Sequence, residues 1–107
     1  AVLVEVEIGY CDWDYLKQWW SEEDLDSATK ICFCESRGDP TKINDSLYGV
    51  KEYAVGLFQI NLLAWPKYDK EWLMIPENNV KVAVKIFKNN GGWKNWYNCA
   101  KQTGALP

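Results

Sequence analysis

The sequence predicts one small α+β domain, mainly helical with a short irregular β wing, and three observations carry that expectation. Apolar residues recur at helical spacing in the first third of the chain and again in the last third. The stretch between them, residues 41–61, holds Gly49 and Gly56 with short β-prone pieces around them, as a small hairpin wing does. The 107 residues suffice for one hydrophobic core and leave no room for a second domain. Residues 1–107 are therefore read as a single domain, with residues 1–20 as an N-terminal arm and short helix and residues 21–107 as the core. Helices first and last around a β element define the α+β class.

Val2, Val4, Val6 and Ile8 alternate with Leu3, Glu5 and Glu7, a period of two that predicts a strand or extended arm ended by Gly9. Trp13, Leu16 and Trp20 fall at helical spacing and predict a short helix over 13–20 with an aromatic face. Ser21 followed by Asp24 forms a capping-box variant, so a second helix starts near Glu22 and runs to about Ser36, where Gly38 and Pro40 stop it. Gly56 to Asn61 reads as an extended segment, and 62–75 as a loop. Pro76, Glu77 in the first turn and Lys88 in the last turn mark a third helix with Val80, Ala83, Val84 and Phe87 facing inward. Asn90, Gly91 and Gly92 end it. A fourth short helix over 93–101 sets Trp93, Trp96, Tyr97 and Ala100 on one side.

Hydrophobic residues at 48% and charged residues at 25% exclude a disordered tail or a collagen-like rod. Seven Trp and six Tyr exceed what a small core needs, so part of the aromatic set is available to grip a flat, amphipathic partner such as a sugar ring, a base face or another protein. The net charge of -3 provides no field for phosphate backbones, which argues against a nucleic-acid partner. No run of 18 apolar residues is present, so no membrane span is expected. The first residue is Ala1, which fits a cleaved secretory precursor and a shortened chain equally. The absence of His removes Ser-His-Asp and Cys-His nucleophile systems and His-ligated zinc or haem, and no metal or cofactor is expected.

Cys11, Cys32, Cys34 and Cys99 form an even set, which favours two disulfides and a secreted or otherwise extracytoplasmic location over free cytosolic thiols. A zinc site on these four lacks the paired C-x-x-C knuckles. Cys32 and Cys34 stand two helix positions apart, about 200° in rotation, and so reach for different partners. Three pairings are open on this ground.

Glu35 falls close to the stripe of Leu25, Ala28 and Ile31 on the second helix. A carboxyl there loses hydration, its pKa rises, and it can hold a proton to donate. The competing reading lets Glu35 fray into solvent or pair with Arg37, and periodicity alone leaves both open.

The segment Cys34-Glu35-Ser36-Arg37-Gly38-Asp39-Pro40, followed by Gly56-Leu57-Phe58-Gln59-Ile60-Asn61, resembles the lysozyme-like superfamily that includes lytic transglycosylases and goose-type lysozymes. The stretch Gly92-Trp93-Lys94-Asn95-Trp96-Tyr97-Asn98-Cys99 is similar to the closing segment of the resuscitation-promoting-factor catalytic domain, and Tyr97-Asn98 to the Tyr-Asn of lytic transglycosylases. The resemblance spans roughly residues 25–104. It implies that Glu35 is the general acid, that the segment carrying Gln59 lines a glycan cleft, and that Cys34 pairs with Cys99, which leaves Cys11 for Cys32. It further implies cleavage of the β-1,4 bond between N-acetylmuramic acid and N-acetylglucosamine by a monomeric enzyme whose partner is the peptidoglycan glycan strand.

Two-carboxylate hydrolysis needs a second Asp or Glu. Hen-type lysozymes carry it just ahead of the Gly of the glutamine strand, where this chain has Ala54 and Val55. Tyr53-Ala54-Val55-Gly56 instead resembles the Gly-Ala-x-Gly of lytic transglycosylases, with Tyr53 in place of the first Gly, and those enzymes work with one Glu. Glu52 and Asp45 are the nearby substitutes, or else merely solvated loop charges. Gln59 and Asn61 share one face of the extended segment and are expected to hydrogen-bond sugar amides, while Trp65 is a stacking face for an N-acetyl sugar or packs beneath its loop. Trp13, Trp19 and Trp20 read as core or rim. The expected function is thus a lytic transglycosylase, with a hydrolytic lysozyme on the same fold as the alternative. A catalytically silent glycan-binding module and a disulfide-stapled protein-binding domain are the rivals.

Overall fold

The computed structural model describes residues 9–45 and 52–107. The expected arm over Val2 to Ile8, and the part of the wing that contains Gly49, lie outside the described residues. The described residues form five helices, a 3₁₀ turn and a small antiparallel sheet: α1 (Trp13–Leu16), α2 (Glu22–Ser36), β1 (Ile43–Asp45), β2 (Tyr53–Val55), β3 (Ile60–Asn61), α3 (Lys70–Leu73), α4 (Pro76–Asn89), the 3₁₀ turn (Gly92–Trp96) and α5 (Tyr97–Thr103). The sheet order is β1-β2-β3, with Asn44 opposite Ala54 and Ala54 opposite Asn61. The α+β expectation holds. Among the described residues no helix is long and apolar enough to cross a membrane.

α2 is the central strut. Ser21 sits in extended backbone as its N-cap, but its hydroxyl donates to Asp24 Oδ2 at 2.8 Å instead of accepting from a backbone N–H. Leu25, Ala28, Ile31 and Cys32 are buried along one side. At the other end Arg37 itself turns left-handed (φ 54°) and bonds back to Phe33 O, with Gly38 left-handed after it. The buried Ser36 hydroxyl accepts from Gly38 N–H and donates to Cys32 O, which ties the chain leaving α2 back onto its last turn. Cys11 is bonded to Cys32 and Cys34 to Cys99, so α2 is tied on one side to the segment before α1 and on the other to α5.

The core is aromatic at its centre. Trp20 stacks on Trp93 (centroids 5.0 Å apart), Phe87 meets Trp93 at 4.5 Å, and Trp96 donates its indole N–H to Phe58 O at 2.7 Å. Such ring pairs add about 0.5–1.5 kcal/mol each beyond the area they bury.

Four expectations change. The first helix covers only Trp13–Leu16, because Ser21 must be extended to start α2 and the chain turns before it; Trp19 N–H and Trp20 N–H both bond Leu16 O. The loop over 62–75 contains α3, capped by Asp69, whose carboxylate accepts from Trp72 N–H at 3.0 Å. The inner face of α4 keeps Val80 and Ala83 but adds Asn79, Val82 and Ile86, while Val84 and Phe87 are half-buried. Finally, the segment from Gly92 winds at three residues per turn, so Trp93 and Trp96 eclipse each other, and the change to α geometry at Tyr97 sends that ring outward, 59% exposed.

Candidate active site

Glu35 occupies the last turn of α2 and is partly buried there, next to Cys34 and its bond to Cys99. The stripe of Leu25, Ala28 and Ile31 carries it inward. Burial pushes its carboxyl from 4.5 up to about 7; the negative charge of Glu52 pushes the same way, and the Lys42 ammonium pulls against both. Lys42 Nζ donates to the Glu35 carbonyl oxygen at 2.7 Å, so the cation is tied to the backbone of α2's end. A carboxylic acid held near neutrality can give up a proton and take it back within one cycle.

The sheet side of the site is built on Gly56 and Asn79. Gly56 is left-handed (φ 81°), and a Cβ there would lie 2.2 Å from Asn79 Nδ2 and 2.8 Å from Leu73 O. Only glycine supplies both the backbone angle and the space. Asn79, fully buried on α4, accepts from Phe58 N–H at 2.8 Å and donates to Val55 O and Leu73 O at 2.8 and 3.1 Å. These three bonds pin the turn over 56–59 to α4 and α3.

That turn corrects the expected geometry of Gln59 and Asn61. Gly56 to Gln59 is a turn, and only Ile60–Asn61 is strand. Gln59 is itself left-handed (φ 49°), with Nε2 donating to Lys42 O and Gly56 O at 3.0 and 2.9 Å. Both amide hydrogens thus serve the fold, and Oε1 is the atom Gln59 can offer a ligand. Asn61 Oδ1 accepts from Tyr53 N–H and Leu63 N–H, so its side chain offers donors from Nδ2. The two residues do not line one face of a strand as twin amides.

A cleft of about 370 Å³ brings these groups together. Glu35, Glu52, Gln59, Asn61, Trp65 and Tyr97 all line it. Asp45, exposed at the end of β1, does not, nor do Trp13, Trp19 and Trp20; Trp20 is core. Trp65 combines both readings, half-buried against the core and facing the cleft. The sequence reading missed Asn90, Lys94, Asn95 and Asn98, which supply the wall built by the end of α4, the 3₁₀ turn and the start of α5. It also missed Lys42 and Asn79. The run N-N-G-G-W-K-N-W-Y-N signals an amide-rich surface, but Asn90 reads as part of a helix stop, and Lys94, Asn95 and Asn98 as the polar side of a fourth helix.

An open cleft with a neutralisable acid, a second carboxylate, an indole and several amides suits a polar, ring-shaped substrate. No curated protein and no solved structure matches the chain significantly. A family model described as "Lysozyme like domain" matches residues 18–98, from the last turns before α2 to the residue before Cys99. With three quarters of its length covered by that match, the chain belongs to the lysozyme-like domain family.

Proposed function

We propose that this domain cleaves the glycan strand of peptidoglycan at the N-acetylmuramic acid β-1,4 N-acetylglucosamine bond, outside the cytoplasm, as a lytic transglycosylase with Glu35 as its acid and base. Members of the family are generally glycosidases or lytic transglycosylases. The observation that carries the reading is the placement of Glu35: partly buried, raised to about 7, and facing a cleft lined by an indole and amides. Two disulfides support the location.

In the first step the Glu35 carboxyl gives its proton to the glycosidic oxygen, and the bond from that oxygen to muramoyl C1 breaks as positive charge spreads over C1 and the ring oxygen. In the second, the Glu35 carboxylate takes the proton of the muramoyl C6 hydroxyl while that oxygen bonds to C1. A 1,6-anhydro ring closes, and Glu35 is protonated again. Because the first step needs neutral Glu35, activity falls as pH rises through about 7. Glu35→Gln keeps the shape and removes the proton, so wall-suspension clearing is expected to drop about 10²- to 10⁴-fold. A variant that keeps a tenth of the activity sinks the assignment.

One observation favours a second reading. Glu52 lines the same cleft, and its charge reaches Glu35. In a hydrolytic lysozyme it would stabilise the oxocarbenium-like centre or activate water. Mass spectrometry of the released muropeptides separates the two, since anhydro and hydrated ends differ by one water.

A further inference from the structure

The described lysines divide sharply by what holds them. Lys17, Lys30, Lys70 and Lys81 pair with neighbouring carboxylates. Lys42 and Lys101 donate to backbone oxygens, and Lys67 lies over the Tyr68 ring. Among the described residues Lys85, Lys88 and Lys94 make no ion pair or hydrogen bond, and of these Lys94 alone lines the cleft. Its backbone is unusually well fixed for so exposed a side chain. Trp93 and Trp96, on either side of it, are buried in the aromatic core. Asn95, the next residue, donates to Asn90 O and Gly92 O at 2.9 and 2.8 Å and accepts from Asn90 Nδ2 at 2.8 Å. The cleft therefore has a charge polarity: carboxylates come from α2 and the segment before β2, and an unpaired cation comes from the 3₁₀ turn.

We infer that Lys94 receives the carboxylate carried on the lactyl arm of a muramyl unit, and so selects muramyl-containing strands over neutral N-acetylglucosamine polymers. The inference rests on the proposed glycan substrate and names the part of it that this wall recognises. A protein of net charge -3 repels an anionic polymer at long range, so a cation inside the cleft supplies local attraction. The same polarity orients the strand, since an acidic arm laid against Glu35 and Glu52 meets like charge, whereas against Lys94 it meets the opposite one. The carboxylate comes either from the lactyl group itself or from the stem peptide joined to it.

The test measures binding, by calorimetry, in the inactive Glu35→Gln background, so that it does not depend on turnover. Three probes are used: stem-bearing glycan strands, strands stripped of stems by an amidase, and N-acetylglucosamine hexamer. Lys94→Met is expected to weaken the muramyl strands about five- to tenfold at low salt and leave the hexamer unchanged, with Lys94→Arg restoring most of the loss. A loss confined to stripped strands assigns the lactyl carboxylate, and one confined to stem-bearing strands assigns a peptide carboxylate. Equal losses for all three probes, or none for any, overturn the role of Lys94. Should the parent protein bind the muramyl strands without clearing walls in its Glu35 form, the catalytic reading fails while this one stands; should it bind none of the probes, both fail.

Discussion

The two walls of the cleft are made of similar residues used in opposite ways. On the sheet side, Gln59 spends both amide hydrogens on Lys42 O and Gly56 O, Asn61 Oδ1 takes two backbone N–H groups, and Asn79 behind them makes three buried bonds. On the other side, Asn90 and Asn95 bond each other and the local backbone, but the side chains of Lys94, Tyr97 and Asn98 are exposed and make no hydrogen bond with the described residues. Amides on the first wall hold backbone in unusual conformations next to Glu35, where a small displacement would misplace the acid. Lys94, Tyr97 and Asn98 on the second can follow a ligand, because buried Trp93, Trp96 and Cys99 already fix the backbone beneath them. On the proposed reading, chemistry falls to the rigid wall and recognition to the adaptable one.

The contrast breaks most visibly at Asn79. Asn79→Ala removes the acceptor of Phe58 N–H and one donor each from Val55 O and Leu73 O in a dry site, where a lost partner costs about 1–3 kcal/mol. We expect a loss of about 3–5 kcal/mol in urea unfolding, large for one substitution. Asn98→Ala on the other wall should stay within about 0.5 kcal/mol in the same assay and show itself only as a higher KM. Equal stability effects at the two positions would erase the distinction.

Next in size is the Cys34–Cys99 bond, which spans 65 residues and joins the acid-bearing helix to α5 under the adaptable wall. Replacing both cysteines by Ala should cost about 2–4 kcal/mol. Because the bond lies beside Glu35, kcat should fall along with stability, whereas loss of Cys11–Cys32 should lower stability with a smaller effect on kcat at temperatures where both variants are folded.

Glu35 itself works against stability. Its folded pKa of about 7 lies above the unfolded 4.5, so the folded state binds more protons between those values and stability declines as pH rises through that window. The deficit is fully present above about 7 and absent below 4.5, and a shift of this size corresponds to about 3 kcal/mol. Glu35→Gln should therefore be more stable than the parent at pH 8 by up to about that amount, and no more stable at pH 4. Equal stability at both values would place the carboxyl in solvent.

What could be read in the sequence follows the range of the interactions. The α2 limits depend on Ser21, Gly38 and an apolar stripe, all local, and the helix runs Glu22–Ser36. Glu35's burial follows from the same period. The four-residue α3 leaves little trace in the sequence, because its cue is one residue, Asp69, ahead of a short segment with too few apolar positions to show a period. A helical wheel puts Tyr97 on the side of Trp93 and Trp96 because it assumes 3.6 residues per turn, whereas the 3₁₀ turn has three. Gln59 and Asn61 alternate with apolar residues as a strand would, yet the turn is imposed from a distance by Asn79, twenty residues later. The pairing of the cysteines is likewise a long-range fact that spacing left open. Local patterns show where an acid is held, whereas only the assembled chain shows which amides remain available to a ligand.

The smallest expected effect sharpens the comparison most, because it sets against each other the two charges that act on Glu35, Glu52 in the cleft and Lys42 beside the end of α2. Glu52 raises the Glu35 pKa and Lys42 lowers it. Glu52→Gln should move the alkaline limb of the pH-activity profile to lower pH, and Lys42→Met should move it higher. Lys42→Met also removes the bond to Glu35 O, so Lys42→Arg serves as the control that keeps the charge: its limb should stay in place even if kcat changes with the altered backbone contact. If Glu35 works alone, Glu52→Gln shifts the limb, keeps most of the maximal rate and yields 1,6-anhydro ends. If Glu52 is the second carboxylate, the maximal rate collapses nearly as far as in Glu35→Gln, and the parent's products carry hydrated ends. Ala54 and Val55, buried where an in-strand carboxylate would stand, favour the single-glutamate outcome. Hydrated ends combined with an inactive Glu52→Gln protein would overturn that choice and leave glycan cleavage by this cleft in place.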